Sequence, residues 1–325
     1  MNTDPITELL SRQIPDKLWH YSSVKGFYGI VTSKAIYASD IRFLNDVKEF
    51  IHAREIASEV AADVPEFGSN LFPVREYWKK AVDIAFGSTL RPDRTQVFVA
   101  SFSVAEDQLS QWRGYSRGSS GVSLGLRLSA FRPPPNVDTL VCFAPCVYDL
   151  SDKKTLIRRA LDHFMNEAQG YWDATAEAFL NKYDGPRPIG KNPSAVFEFI
   201  SRLPGAAELN QRLTTSMAST KADLLHLAAL LKDKSFCEEQ EWRLVLPVSA
   251  GKQLQNPRRF RPEGTTLVPY ISYPFPLGSD GALPLVDVIL GPGGHPNATQ
   301  AAFSFLLSEG VRVKPRESTV PYRPL

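Results

Sequence analysis

The chain has 325 residues, of which 43% are hydrophobic, and its formal net charge is +2. This length is enough for one large domain or two ordinary ones, and the composition excludes a chain that is disordered throughout. The small net charge excludes binding to nucleic acid by bulk charge alone, although a local basic patch could still serve.

The compartment is indicated by the cysteines and by the apolar segments. The three cysteines are Cys142, Cys146 and Cys237. A small and odd number of cysteines argues against a disulfide framework and favours a reducing environment. Residues 1–17 carry charge and have no apolar centre, unlike a signal peptide. No stretch approaches the roughly 20 apolar residues that span a bilayer. We therefore expect a cytoplasmic protein that does not bind a membrane.

Hydrophobic periodicity predicts the elements of the first half of the chain. Helices are expected over 3–13, 24–31, 46–62, 71–86 and 107–115, the last with Asp107 as its cap. Strands are expected over 18–21, 35–39, 97–103, 122–128 and 140–148. A surface turn at 133–135 separates the last two of these strands.

The second half is predicted to be helical first and then rich in strands. Helices are expected over 153–183, 206–232 and 297–308, with a loop rich in proline and glycine over 184–193 and with Asn297 as a cap. Extended segments are expected over 242–248, 258–273, 286–290 and 311–314. Because strands and helices do not alternate regularly, an α+β arrangement fits better than a doubly wound α/β fold. The predicted fold class is α+β, a largely antiparallel mixed sheet in a single domain 1–325. Its core is assigned to 18–148 and 236–325, with a helical insertion over 150–232.

Two glutamates mark the entrance of the strand that begins near Trp242. Side chains repeat every two residues along a strand, so Glu239 and Glu241 are expected on one face. Neighbouring carboxylates repel each other, and a site that stabilises a cation would make use of such a pair. Arg243 could bind a phosphate there, but an arginine beside two glutamates more often pairs with one of them.

Several short phrases occur in a fixed order and cover most of the chain. They are Trp19-His20-Tyr21-Ser22, Phe43-Leu44-Asn45-Asp46-x-x-Glu49, Ser101-Phe102-Ser103 with Asp107, Gln111-Trp112-Arg113-Gly114-Tyr115, Gly121-Val122, Glu239-x-Glu241-Trp242-Arg243 and Ile289-Leu290-Gly291-Pro292. This ordered set resembles a bacterial family known as domain of unknown function 2971. The resemblance names no reaction.

Three of the phrases, His20-Tyr21, Ser101-x-Ser103 and Glu239-x-Glu241, also resemble the pattern of mono-ADP-ribosyltransferases. In that pattern the corresponding segments surround nicotinamide adenine dinucleotide (NAD), which is a substrate. Cleavage of the nicotinamide–ribose bond creates an oxocarbenium-like sugar, and a carboxylate that faces this cation stabilises the transition state. The resemblance implies an ADP-ribosyltransferase-like fold in which Glu241 is this carboxylate and Glu239 orients or deprotonates the acceptor.

The same resemblance implies roles for the other residues of the pattern. His20 would hydrogen-bond the adenosine ribose, and Ser101 or Ser103 would support the catalytic glutamate. Tyr21 or Tyr115 would stack on nicotinamide, and Asn45 could point into the pocket. The chain departs from the pattern at Phe102, where threonine is usual. The implied protein is a toxin or an anti-phage defence effector that modifies a protein or a nucleic acid, and a neutralising antitoxin would be its partner.

Alternatives remain open at this point. Glu49 and His52 are spaced to share a helix face, as metal ligands do, but Asp46 and Glu49 also fit a capping box. A metal-dependent nuclease would use these three residues together with Glu239 and Glu241, whereas a sensor or interaction module of a defence system would use no chemistry at all. The basic run Arg258, Arg259 and Arg261 indicates either a contact with nucleic acid or a solvated edge strand.

Overall fold

The computed structural model describes residues 5–44, 48–65, 74–87, 96–115, 121–128, 141–180, 206–248 and 257–321. The chain divides into two compact units. The helical unit comprises Met1–Thr7, Lys48–Thr95 and Asp149–Ala228, and the sheet unit comprises Glu8–Val47, Gln96–Tyr148 and Ala229–Leu325. Residues 48–95, which the sequence patterns assigned to the core, therefore group with the helices of the insertion.

Most elements lie close to their predicted positions. The helices are α1 (Pro5–Leu10), α2 (Val24–Ser33), α3 (Lys48–Ala62), α4 (Val74–Gly87), α5 (Leu109–Tyr115), α6 (Leu150–Leu180), α7 (Ala206–Leu230) and α8 (Ala298–Ser308). The strands are β1 (Leu18–Ser23), β2 (Ala35–Asp40), β3 (Gln96–Ser103), β4 (Gly121–Leu126), β5 (Cys142–Pro145), β6 (Glu241–Val248), β7 (Arg258–Glu263), β8 (Thr266–Pro274), β9 (Leu285–Leu290) and β10 (Arg316–Glu317). None of the helices in the described part of the chain is long and apolar enough to cross a membrane.

Three local predictions are corrected. The extended segment 258–273 is two strands, because a turn at Gly264 and Thr265 reverses the chain, and Gly264 takes a left-handed φ of 58° there, which glycine adopts readily. The strand predicted over 311–314 is absent, and β10 lies at Arg316 instead. Asn297 precedes α8 without capping it through its side chain. The predicted loop 184–193, Asn45 and Asp46 lie outside the described residues.

The helical unit is built on α3, which contacts both α4 and α6. The bulky side chains of α4, Tyr77, Trp78 and Phe86, are all buried. Lys154 of α6 pairs with Glu59 of α3 at 2.5 Å. This unit therefore follows the amphipathic pattern that its helices show in the sequence.

The sheet unit holds one ten-stranded sheet, which confirms the α+β prediction. The strand order is β10-β9-β4-β1-β3-β2-β8-β7, with β6 also paired to β3 and β5 to β6. Among the strands of the described residues, β9 and β10 are the one pair that runs in parallel. The main hydrophobic cluster contains Phe98, Phe102, Leu124, Trp242 and Leu244, which alternate with residues that face the other side.

The sheet forks at β3, and this fork positions the candidate site. One edge of β3 pairs with β6 along its full length, from Gln96 to Ser103. The other edge pairs with β2 at Phe98 and Val99 and with β1 at Ser103. Between these contacts, over Ala100–Phe102, this edge carries no strand ladder. We call this gap between β1 and β2 the split.

Candidate functional site

The three sequence segments that suggested a site lie on neighbouring strands. Trp19 of β1 is opposite Ser103 of β3, and Ser103 is in turn opposite Glu241 of β6. His20, Ser101 and Glu239 each lie within two residues of this row. The fold therefore brings together segments that are separated by more than two hundred residues in the sequence.

Glu239 and Glu241 belong to a network of four charged side chains. Arg243 donates from Nε and Nη2 to the two oxygens of Glu241, at 2.8 and 3.0 Å. Lys232 donates from Nζ to Glu241 at 2.6 Å and also to Glu239. The sequence indicated the pairing of Arg243 with a glutamate, but it gave no signal for Lys232, which follows the end of α7.

The two carboxylates of the network lie in different environments, which shift their pKa values in opposite directions. The side chain of Glu241 is 2% exposed. Burial alone would raise its pKa, but Arg243 and then Lys232 outweigh burial and lower the pKa to about 2. The side chain of Glu239 is 12% exposed, and burial raises its pKa against the attraction of Lys232, a cation that it shares with Glu241. Carboxylates whose pKa values are moved apart in this way are suited to different roles. Arg243 and Lys232 thus favour the anionic form of Glu241, whereas burial favours the protonated form of Glu239.

Backbone contacts hold Glu239 in place. The hydroxyl of Ser103 donates to the carbonyl oxygen of Glu239 at 2.7 Å, and Gln108 donates from Nε2 to the carbonyl oxygen of Glu238 at 3.0 Å. Gln240 takes a left-handed φ of 43°, which turns the chain between the two glutamates. Ser103 thus supports the glutamate segment by binding the backbone of Glu239 and not by binding a carboxylate.

Tyr21 belongs to the core in this structure. Its hydroxyl donates to the carbonyl oxygen of Ala105 at 3.0 Å and accepts from the backbone N–H of Gln108 at 3.1 Å. Its ring packs edge-on against Trp112, with centroids 4.9 Å apart, and burial raises its pKa to about 12. The ring is therefore not presented for stacking on nicotinamide. Asn45 and the side chain of Tyr115 lie outside the described residues.

His20 lies at the split. Its Nδ1 is 2.8 Å from the carbonyl oxygen of Ser101, to which it donates as the Nδ1–H tautomer. The ring packs on Phe102 at 5.6 Å, so it emerges on the face of the sheet opposite to Glu241. Nε2 is left as an acceptor. Burial, with a smaller contribution from the charge of Arg261, lowers the pKa of His20 despite the bond to Ser101.

The lowered pKa of His20 predicts a loss of stability in mild acid. Below about pH 6.5 His20 binds a proton in the unfolded chain but stays neutral in the folded chain until the pH is lower. The free energy of unfolding therefore falls as the pH drops through this range. We expect His20→Gln, which can still donate to Ser101 but does not titrate, to lose less stability than the wild type between pH 7.5 and 5.5. Urea unfolding at both values measures this difference. Identical pH dependence in the two proteins would contradict it.

Asp107 does not cap α5 as predicted. Its carboxylate accepts hydrogen bonds from Trp112 Nε1 at 2.7 Å, from Ser318 Oγ at 2.5 Å and from both the backbone N–H and the hydroxyl of Thr319. These bonds offset the effect of burial and lower its pKa. Asp107 therefore joins the segment that precedes α5 to the chain that follows β10.

The metal alternative finds no support among the described residues, where no group of three or more His, Cys, Asp or Glu side chains could hold an ion. His52 has Lys153 as a neighbour, with Nε2 and Nζ 3.4 Å apart, and an ammonium group at that distance competes with a metal cation. Asp46 and the side chain of Glu49 lie outside the described residues.

Comparison with known proteins confirms the resemblance to the family of unknown function. Residues 111–244 match the model of a family described as "Protein of unknown function (DUF2971)". The matched segment includes the phrases that begin at Gln111 and at Glu239. Neither the curated proteins nor the solved structures include a match to this chain.

Proposed function

We propose that this protein is an enzyme that cleaves NAD at the nicotinamide–ribose bond and transfers the ADP-ribosyl group to water or to a macromolecular acceptor. One observation carries the proposal. Two carboxylates at the head of β6, across β3 from the split, have pKa values moved in opposite directions, because Arg243 and Lys232 enclose Glu241 whereas Glu239 is the more exposed of the two. Such a pair supplies both a proton acceptor and a fixed negative charge.

The proposed reaction assigns Glu239 as the carboxylate that faces the ligand. The bond between ribose C1′ and the nicotinamide nitrogen breaks, and its electron pair leaves with nicotinamide. The oxygen of water or of the acceptor bonds to C1′, and its proton passes to Glu239. Glu241, which the sequence resemblance implied for the reacting position, is enclosed by Arg243 and Lys232. It contributes by holding Lys232 beside Glu239.

The remaining residues fit roles around an extended ligand. Nε2 of His20 is available to accept from a ribose hydroxyl at the split. Ser103 fixes the backbone of Glu239, so that a change at this serine would misplace the carboxylate. An enzyme that consumes cellular NAD in this way would act as a toxin or as an anti-phage defence effector. A neutralising partner would have to cover Glu239.

The test is the rate of nicotinamide release from NAD. Glu239→Gln is expected to lower the rate by about 10² or more, because a general base contributes 10²–10⁴ to such reactions. Glu238→Gln is the matched control, since its side chain is exposed one residue away, and it is expected to keep the wild-type rate. Circular dichroism and thermal unfolding establish that both variants are folded.

Two results would overturn the proposal. One is a folded Glu239→Gln variant with undiminished nicotinamide release. The other is a folded wild-type protein that releases no nicotinamide and shows no rise in melting temperature with NAD at about 100 times the dissociation constant under test, where binding would stabilise the folded state by about 2.7 kcal/mol.

A further inference from the structure

We infer that Arg261, together with Ser39 and Ser101, forms an anion subsite beside the split that binds the diphosphate of a nucleotide. The inference rests on the proposed function to the extent that NAD is the nucleotide concerned. The sequence offered Arg261 only as one member of a basic run. In the structure, the contacts of Arg261 distinguish it from the other arginines of the same strand.

Arg261 is held in one orientation from three sides. Its Nη2 donates to the hydroxyl of Ser39 at 2.9 Å and lies 3.4 Å from a carboxylate oxygen of Glu263. Its guanidinium carbon lies 5.5 Å from the centre of the Tyr270 ring. A guanidinium that is fixed before the ligand arrives loses little side-chain entropy on binding.

The arginine reaches across the sheet toward the split. Arg261 is on β7, and β8 lies between β7 and the β2 strand that carries Ser39. Ser39 is paired with Val99 of β3, the last β3 residue that pairs with β2 before the split begins. The charge of Arg261 also contributes to the lowered pKa of His20, which bonds to Ser101 at the split.

The guanidinium has hydrogen-bonding capacity left over. Its contacts with Ser39 and Glu263 both use Nη2, and the N–H groups of Nε and Nη1 have no acceptor among the residues that the structure describes. The side chain is 32% exposed, so a ligand can reach it. Since an arginine presents its donors as a planar fork, two phosphate oxygens are the acceptors that fit them best.

Ser101 extends the subsite on the same face of the sheet. Ser39 and Val99 are directly opposite, so Ser101, two residues along β3, faces the same side as Ser39. Ser101 is partly exposed, and its hydroxyl has no hydrogen bond to any described residue. A hydroxyl and a charged fork next to an extended gap in the sheet suit a diphosphate.

The experiment compares Arg261→Ala with Arg259→Ala. Arg259 is the matched control, because it is on the same strand and faces the same way but is exposed, and its side chain forms no ion pair with a described residue. Binding of ADP and of inorganic pyrophosphate is measured by calorimetry. We expect Arg261→Ala to weaken both by about tenfold or more, the loss of a charge-assisted pair, and Arg259→Ala to bind like the wild type. In nicotinamide release, Arg261→Ala should raise KM by a similar factor and leave kcat unchanged.

A lysine variant distinguishes the effect of the planar guanidinium from the effect of its positive charge. Arg261→Lys keeps the charge but cannot bind two oxygens in one plane, so its affinity for ADP should fall between those of the wild type and the alanine variant. This variant also keeps the test valid if the alanine variant does not fold.

The outcomes separate this inference from the proposed function. Equal weakening by the changes at Arg261 and Arg259 would reveal bulk charge and overturn the subsite, as would a wild-type protein that binds neither ADP nor pyrophosphate. Binding of ADP that depends on Arg261, in a protein that releases no nicotinamide, would leave the subsite standing and remove the proposed reaction.

Discussion

Replacement of Glu241 by glutamine is expected to lower the free energy of unfolding of the protein by about 3–5 kcal/mol. The substitution removes the anion from a buried network, so Arg243 loses the carboxylate that accepts from its Nε and Nη2. Lys232 loses one of its carboxylate partners as well. A buried cation that loses its carboxylate costs more than the lost attraction, because its hydration is not recovered. Urea unfolding at pH 7 measures the change.

Two companion variants show whether the network is the cause. Glu238→Gln changes an exposed carboxylate nearby and is expected to alter stability by no more than about 0.5 kcal/mol. The double variant Glu241→Leu/Arg243→Met removes the ion pair without orphaning a charge, and it should lose less stability than Glu241→Gln alone. An unchanged urea midpoint in Glu241→Gln would show that the network does not hold the head of β6.

This expectation changes how loss of activity should be interpreted. The sequence resemblance predicts that a Glu241→Gln variant is inactive because its reacting carboxylate is gone. The structure predicts inactivity for another reason, since the same change disturbs the position of Lys232 and through it that of Glu239. Activity measured on Glu239→Gln, which leaves Glu241 and Arg243 paired, is the more direct test of chemistry.

Replacement of Phe102 by threonine, the residue usual at this place in the transferase pattern, is expected to destabilise the protein by about 3–5 kcal/mol. This is the cost of truncating a buried phenylalanine to a small side chain, and the added hydroxyl would lack a partner among apolar neighbours. Phe102 is 2% exposed, and its ring lies 5.4 Å from that of Phe143 and 5.6 Å from that of His20. The midpoint of urea unfolding reports the loss.

A leucine at the same position provides the comparison. Phe102→Leu keeps much of the buried volume and should cost less than the threonine variant. A threonine variant as stable as the wild type would show that the position tolerates a polar side chain, and that the departure from the transferase pattern has no structural cause. The predicted result instead explains the departure, because Phe102 faces the core while Ser101 and Ser103 face the other side.

Periodicity in the sequence located most of the described helices and strands and the α+β class. The alternation of Val122, Leu124 and Leu126 predicted β4, and these residues line the main cluster. Such patterns are local, because one buried face repeats every two residues in a strand and every three or four in a helix. The last strand was misplaced because β10 contains only Arg316 and Glu317, which is too short to show any alternation.

The sequence by itself determined which residues carry charge and which segments become β1, β3 and β6. Only the tertiary structure decided that these strands are neighbours, that Lys232 joins the two glutamates, and that Arg261 crosses the sheet to Ser39. Each of these contacts depends on the register between strands, and a shift of one residue would turn every side chain to the opposite face. Register is set by the packing of the whole core. For this reason Glu241, prominent in the sequence, is enclosed, and Glu239 is the more exposed of the two carboxylates.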